Sequence, residues 1–285
     1  MSKRLVLIDG MSVFYRGYFA MPGLSLPDGM PTGGVFGFAS IAIEVIKQLE
    51  PDYVIVAWDK SKTATRKRKE IFPEYKAGRT RPPDDFFAQI PLLHDLLDSF
   101  GWPLLEMDDY EADDIIGTIS VEAAKKDIET RVVSGDYDMM QLLSKHTSVY
   151  INKKGSEMMR FTEVEFEEKY GVKLAQFIDY KALVGDSSDN IPGVRGVGPK
   201  AAQTLLGQYE TLEGIYEHIE ELKGAQKTKL EENKDNAFMS RELAQIWCDA
   251  PITVDWEDAD VDNTNLPKVA AKLKEFEFHS LIKRL

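Results

Sequence analysis

Short apolar runs and helical repeats alternate through the first half of the chain. Residues 4–8 (RLVLI), 53–58 (YVIVAW), 130–134 (TRVVS) and 147–151 (TSVYI) are compact runs rich in β-branched residues, and each reads as a buried strand. Residues 103–107 give a weaker strand signal. Between these runs, 37–49 places Ile41, Val45 and Leu49 on one helical face. Residues 86–100 repeat apolar positions at 86, 90, 93, 97 and 100, and 115–126 forms a third helical pattern. Strands alternating with helices predict an α/β fold, a mainly parallel sheet flanked by helices. After about residue 162 the strand signals fade, and helices broken by a glycine-rich stretch at 193–198 take over. The expected organisation is an α/β domain over 1–170 and a helical subdomain over 171–285. The late acidic run (Asp255, Glu257, Asp258, Asp260, Asp262) reads as a solvated loop.

Composition narrows the class. With 43% hydrophobic and 29% charged residues among 285, the chain can build a folded core. One cysteine, Cys248, excludes a disulfide framework, and the scattered His94, His146, His218 and His279 show no zinc-ligand spacing. The opening MSKRLVLIDG has too short an apolar run for a signal peptide, and no segment approaches a membrane span. A cytoplasmic protein with no membrane partner is expected. The formal charge of −13, from 48 acidic and 35 basic residues, by itself argues against a nucleic-acid binder.

The placement of the acids changes that picture. Asp9 directly follows LVLI, Asp59 follows VIVAW, and Asp136 and Asp138 follow RVVSG. Ligands of open parallel sheets bind at the carboxyl ends of strands. A single such Asp is as well explained by a turn or a helix cap; three strands each delivering one point to a site. Glu111, Asp113 and Asp114 open a helix in DDYEADDIIG; on a regular helix Glu111 and Asp114 share a face and Asp113 points elsewhere. Dipole-favourable acids in a first turn would look the same. Asp186 and Asp189 form a third group in VGDSSDNIPG, where an Asx-type turn is the alternative. Converging carboxylates repel unless cations lie between them, and oxygen donors suit Mg²⁺ or Mn²⁺. Two such ions form the usual clamp for phosphodiester hydrolysis.

Residues 60–81 (KSKTATRKRKEIFPEYKAGRTR) carry nine Lys or Arg against two Glu, a local +7, with Phe72 and Tyr75 among the cations. That mixture suits single-stranded nucleic acid, although a charge run is more often a solvated face. The segment follows the strand ending in Asp59 and is expected to overhang the metal site. Residues 191–203 (IPGVRGVGPKAAQ) place Gly193, Gly196 and Gly198 in a tight turn before a helix, with Arg195 and Lys200 adding charge. Backbone amides at such a turn grip phosphate without reading sequence. The pattern G-V-x-G-V-G-x-K-x-A is that of a helix-hairpin-helix duplex-binding element.

With these motifs in place, the chain resembles the 5′-nucleases of the flap-endonuclease and 5′-3′ exonuclease family. The motifs that carry the resemblance are LVLIDGMSVFYRGYFA, PTGGVFGF, VIVAWD, FPEYKAGR, YEADDIIG, SGDYDMMQLL, YKALVGDSSDNIPGVRGVGPKAA and FEFHSLIKRL, in the family's order. The resemblance implies a PIN-like catalytic domain with a basic helical arch over about 60–100, followed by the helical DNA-binding subdomain. It implies that Asp9, Asp59, Glu111, Asp113 and Asp114 hold or approach a first metal, and that Asp136, Asp138, Asp186 and Asp189 complete a second. Lys76 and Arg79 would steer the scissile phosphate from the base of the arch, and Tyr75 would stack on a base. Arg16 and Lys200 match positions that contact DNA phosphates, and the hairpin would hold duplex DNA, often with K⁺ at its carbonyls. The implied activity is two-metal cleavage of branched or nicked DNA with a 5′ flap, by a monomer, in primer and flap removal during replication and repair. RNA-primed DNA is left open as a further substrate. One departure is Tyr137, where relatives commonly carry Lys between paired aspartates. Without the nine acids the charge of −13 becomes −4, and two divalent ions would offset about four more charges.

Three other readings compete with this one. A PIN-type ribonuclease shares acids at strand ends but is usually about half this length and lacks the hairpin. A non-catalytic junction-binding module would use the basic segment and the hairpin, yet leaves nine acids unexplained. A metal-dependent phosphatase, suggested by Asp136-Tyr137-Asp138, has no use for either basic feature.

Overall fold

The computed structural model describes residues 2–152 and 158–285. In chain order the elements are β1 (Arg4–Asp9), α1 (Gly10–Ala20), α2 (Gly33–Leu49), β2 (Tyr53–Ala57), α3 (Arg66–Ile71), α4 (Asp84–Ala88), α5 (Ile90–Phe100), β3 (Leu104–Leu105) and α6 (Ala112–Lys125). There follow β4 (Glu129–Ser134), β5 (Thr147–Asn152), β6 (Met158–Phe161), α7 (Glu163–Tyr170), α8 (Phe177–Val184), α9 (Pro199–Tyr209) and α10 (Leu212–Glu217). The chain closes with α11 (Gly224–Glu232), α12 (Lys234–Ala244), α13 (Leu266–Glu275) and α14 (His279–Ile282).

The described residues form two compact units, and neither is a continuous stretch. The first comprises Met1–Ala64, Arg81–Phe161 and Trp247–Leu285; the second comprises Thr65–Thr80 and Thr162–Ile246. This division differs from the expected one at 170/171 in two places. Residues 247–285 return to the first unit because Val269, Leu273, Phe276, Phe278 and Leu281 are buried in the same apolar cluster as Val6, Ile8, Val54 and Val56. Residues 65–80, expected as part of an arch, belong to the second unit, where Tyr75 packs with Ile191, Leu243 and Ala244.

The first unit is built on a six-stranded sheet in the order β3-β2-β1-β4-β5-β6. All pairings are parallel except β5 with β6. β2 is buried along its whole length and β1 is apolar and buried from Leu5 to Ile8, as suits strands of a parallel sheet covered on both faces. The four expected strands are present. β3 is only two residues long, and β6 is an antiparallel addition that no alternation in the sequence announced. α1 was also not expected; it starts directly at the end of β1. It lies close against α2 because Gly17 meets Gly37, where an added Cβ would come within 2.3 Å of Gly17 Cα. The expected helix over 86–100 is split into α4 and α5, with Pro91 in the first turn of α5. The acidic run is tied to the sheet edge: Val54 N donates to Ala259 O and Val261 N to Asp52 O, both at 2.9 Å.

The second unit is helical. α8, the hairpin after it and α9 form its centre, and α12 packs on α8. Phe166, Phe177, Leu183, Leu206, Leu212 and Ile215 are fully buried there.

Candidate functional site

In the first unit, register alone aligns three acids. β1 and β2 pair Asp9 with Ala57, and β1 and β4 pair Ile8 with Val133. Asp59 and Asp136 lie two residues beyond the last residues of β2 and β4, so three adjacent parallel strands deliver carboxylates to one edge. Asp9 is 6% exposed. Its Oδ1 accepts from Ser12 N at 3.1 Å, capping α1, and its Oδ2 accepts from Ser134 Oγ at 2.7 Å. Burial pushes its pKa up to about 7; the two hydrogen bonds oppose this, and the charges of Asp59 and Asp136 add to it. Among the described residues no basic side chain pairs with Asp9.

The other acids of this unit are also held. Asp136 Oδ1 accepts from Asp138 N at 2.8 Å, and Asp136 N donates to Ser134 Oγ at 2.9 Å. Asp59 Oδ1 accepts from Ala112 N at 2.7 Å, which fixes the start of α6 beside the end of β2. Glu111 and Asp114 are buried, while Asp113 is half-buried. Asp114 Oδ2 accepts from Glu111 N at 3.0 Å and Oδ1 from Trp247 N at 2.8 Å. Both oxygens of Asp114 are thus engaged by backbone amides, so it braces the helix start. Arg16 reaches the same region: an added Cβ on Gly135 would meet Arg16 Nη1 at 3.4 Å and Ser12 Oγ at 3.1 Å. Tyr137 turns its ring edge-on to Phe161, with centroids 5.5 Å apart.

Several of the expected metal ligands, Asp9, Asp59, Glu111 and Asp114, thus also hold helix starts. Among the described residues no three His, Cys, Asp or Glu side chains stand close enough to hold one ion between them. The donor chemistry nevertheless suits a hard dication: all oxygens, and one buried carboxylate without a basic partner among the described residues. Mg²⁺ is commonly bound through only one or two carboxylates with several waters retained.

The second unit holds Asp186 and Asp189. Asp186 Oδ2 accepts from Lys181 Nζ at 2.7 Å, and its Oδ1 accepts from Ser188. Burial works to raise its pKa, but Lys181 and Ser188 outweigh it and hold the value at about 2. Asp189 is met by Tyr75 OH at 3.3 Å, Lys76 Nζ at 3.7 Å and Arg79 Nη2. Tyr75, expected as a base-stacking platform, is 2% exposed and turned inward. Its ring fills the apolar cluster with Ile191, Leu243 and Ala244, and burying it there is worth more than leaving it exposed.

The hairpin after α8 is formed. Gly193 and Gly196 have φ of +61° and +82°. Gly193 is buried; its N–H donates to Ser240 Oγ at 3.0 Å, and an added Cβ would lie 2.4 Å from Gly185 N. Gly193 therefore shapes the turn of the expected duplex-binding hairpin from a buried position. Val194 and Val197 point inward, while Arg195, Gly196, Gly198 and Lys200 are exposed. Gly198 caps α9 with open space where a Cβ would be, and Pro199 opens the helix.

Four contributors had not been singled out from the sequence. Ser12 and Ser134 orient Asp9, Lys181 pairs with Asp186, and buried Arg68 donates to Leu243 O and Gln245 O at 3.2 and 2.9 Å. Ser134 carries a signal in hindsight, a hydroxyl between a buried strand and the following Asp. Arg68 carries none, being one cation in a basic run.

Comparison with known proteins identifies the family. The model of the 5′-3′ exonuclease N-terminal resolvase-like domain matches residues 4–171, and that of the 5′-3′ exonuclease C-terminal SAM fold matches 172–267. The chain is 44% identical over 285 residues to DNA polymerase I of Bacillus subtilis, covering 99% of this chain and 32% of that protein. DNA polymerase I of Caldicellulosiruptor bescii is 41% identical over 285 residues, with 99% and 33% covered. The chain thus spans about a third of the length of these curated relatives. Its fold is similar to that of T5 5′-exonuclease solved with bound zinc ions (TM-score 0.71, 22% identity, 99% of each chain). It is also similar to the catalytic core of Rad2 in complex with DNA substrate (TM-score 0.62, 14% identity, 100% and 92% covered). With strand-end acids in one unit, a glycine hairpin in the other and both family models matched in order, the chain belongs to the 5′-3′ exonuclease family.

Proposed function

We propose that this chain is a divalent-metal-dependent, structure-specific 5′-nuclease that cleaves nicked or branched duplex DNA bearing a 5′ single strand. The observation that carries the reading is Asp9: buried, without a basic partner among the described residues, and raised to about 7 beside Asp59 and Asp136. Strongly perturbed acids gather at functional sites, and a hard cation relieves the repulsion between such carboxylates. Family membership directs that chemistry to phosphodiesters.

Mg²⁺ or Mn²⁺ at such a site supplies activation of water and neutralisation of the leaving oxygen. Asp9, Asp59, Asp136 and Asp138 would hold the ions, with Glu111 and Asp113 beside them and Asp114 bracing the helix start. The resemblance adds Asp186 and Asp189. Ser12 and Ser134 keep Asp9 aimed. Arg16 offers a cation to a phosphate near Asp136. In the second unit, the exposed amide end of α9 at Gly198, with Arg195 and Lys200, would grip duplex phosphates without reading sequence. Lys76 and Arg79 would steer the scissile phosphate. The hairpin carbonyls would take K⁺, the protein would act as a monomer, and its work would be primer and flap removal in replication and repair.

The test is cleavage of a 5′-labelled flap duplex by the full chain. Short 5′-labelled fragments ending in a 3′-hydroxyl are expected in Mg²⁺ or Mn²⁺, with the new 5′-phosphate left on the downstream strand. No product in either metal, or undiminished cleavage in EDTA, overturns the proposal.

A further inference from the structure

We infer that Ser240 is a positioning residue for duplex binding: its buried hydroxyl fixes the entry of the hairpin that carries Arg195, Gly198 and Lys200. The inference rests on the proposed function and assigns part of its DNA affinity to a residue that lies behind the hairpin. Ser240 sits in the interior of α12 and is fully buried. Its neighbours on the same helical face, Ala237 and Ala244, are small and buried. By helix propensity a third alanine would suit this position better. The serine instead offers an acceptor, and Gly193 N–H donates to its Oγ at 3.0 Å.

The backbone around Gly193 is already engaged. Leu183 O accepts from Val194 N at 2.8 Å, and Asp186 and Ile191 exchange both of their backbone hydrogen bonds, at 2.9 and 2.8 Å. An added Cβ on Gly193 would run into Gly185 N, and one on Gly185 into Ile191 O, so the two backbones cross in direct contact. This crossing fixes the turn against the end of α8, and Ser240 fixes it against α12. A buried N–H needs a partner; without the hydroxyl, that of Gly193 regains one only if the hairpin entry opens to water. Beyond Gly193, Val194 and Val197 are buried while Arg195, Gly198 and Lys200 are exposed. The direction of the exposed set therefore follows from where Gly193 is pinned. The acid loop is held separately: the Asp186–Ile191 exchange closes it, and Lys181 Nζ donates to Asp186 Oδ2 at 2.7 Å. Loss of the Ser240 hydroxyl should thus act on duplex binding and spare the step that follows it.

The test uses the full chain as wild type, Ser240→Ala, Ser240→Cys and Ala237→Gly. Affinity for a nicked 5′-flap duplex is read by fluorescence anisotropy in Ca²⁺, and cleavage by single turnover at saturating protein in Mg²⁺. Amide hydrogen exchange is followed over residues 193–197. Ser240→Ala should bind the duplex about 3–10-fold more weakly, the range of one net hydrogen bond. Its rate at saturation should stay within about twofold of wild type, the scatter between uncoupled sites. The amides of 193–197 should exchange about tenfold faster, as expected when a buried donor loses its acceptor. Ala237→Gly weakens the same helix by propensity but leaves the hydroxyl in place, and should keep wild-type affinity. An affinity of Ser240→Ala within about twofold of wild type, a saturated rate that falls as far as the affinity, unchanged exchange, or an equal loss in Ala237→Gly each overturns the inference. If Ser240→Ala does not fold, Ser240→Cys, which replaces the oxygen by a weak acceptor, is read by the same outcomes. Wild-type protein that neither binds nor cuts flap duplex would end the proposed nuclease function. Wild-type protein that binds and cuts, with Ser240→Ala equal to it, would end only this inference.

Discussion

Ser134 holds Asp9 in place from the neighbouring strand: its Oγ donates to Asp9 Oδ2 at 2.7 Å and accepts from Asp136 N at 2.9 Å. One hydroxyl thus ties the acid at the end of β1 to the acid after β4. Ser134→Ala removes a hydrogen bond to a buried carboxylate. It should destabilise the protein by about 1.5–3 kcal/mol and weaken Mg²⁺ binding. Urea unfolding with and without Mg²⁺ measures both, and a variant indistinguishable from wild type in each would show that the bridge is idle.

Asp9 also gives the metal-free protein a pH signature. Its folded pKa of about 7 lies above the ordinary 3.8, so between these values the folded state binds more protons than the unfolded state. Stability therefore falls as pH rises from about 4 to about 7 and levels off above. Asp186, held at about 2, acts in the opposite sense, but its window lies below 3.8. Urea midpoints between pH 4 and 8 should slope downward in EDTA. Saturating Mg²⁺, or Asp9→Asn, should flatten the slope; a flat profile in wild-type protein with EDTA would contradict it.

Arg68 and Lys69 are adjacent cations with different expected effects. Arg68 is 2% exposed and bonded to two carbonyls, whereas Lys69 is exposed. Arg68→Ala should cost about 2–4 kcal/mol through lost hydrogen bonds and packing, while Lys69→Ala should stay within about 0.5 kcal/mol. Equal denaturation midpoints for the two variants would show that Arg68 is not an anchor.

Two hairpin glycines should separate folding from binding. Gly193→Ala meets Gly185 N at 2.4 Å in a left-handed conformation and should destabilise by more than about 1 kcal/mol. Gly198→Ala has an ordinary φ of −100° and open space, so it should fold as wild type. Its methyl would stand between duplex phosphates and the start of α9. Loss of one hydrogen bond there should weaken duplex binding about 2–10-fold. Fluorescence anisotropy on a nicked duplex checks this, and full affinity would place the phosphate contact elsewhere.

Much of the site was legible because parallel strands are local, buried apolar runs, and their carboxyl ends can be read directly. Asp9, Asp59 and Asp136 follow such runs, and register then aligns them. The net charge of −13 misled for the same reason that the acids informed: it sums groups that serve different ends. Glu111 and Asp114 read equally well as caps or ligands, and the fold shows that Asp114 braces the helix start with both oxygens engaged.

The sequence by itself determined the strand order of chemistry: apolar runs ending in acids, a glycine turn before a helix, and a basic stretch between them. Those signals reside in neighbours a few residues apart, where periodicity and turn preference act. Only the tertiary structure decided where the basic stretch docks, that Tyr75 faces inward, and that residues 247–285 complete the first core. Those outcomes depend on contacts between residues more than a hundred positions apart, as between Tyr75 and Asp189 or Arg68 and Leu243. A basic run has the same composition whether its arginine faces solvent or caps a distant helix, and burial alone tells the two apart.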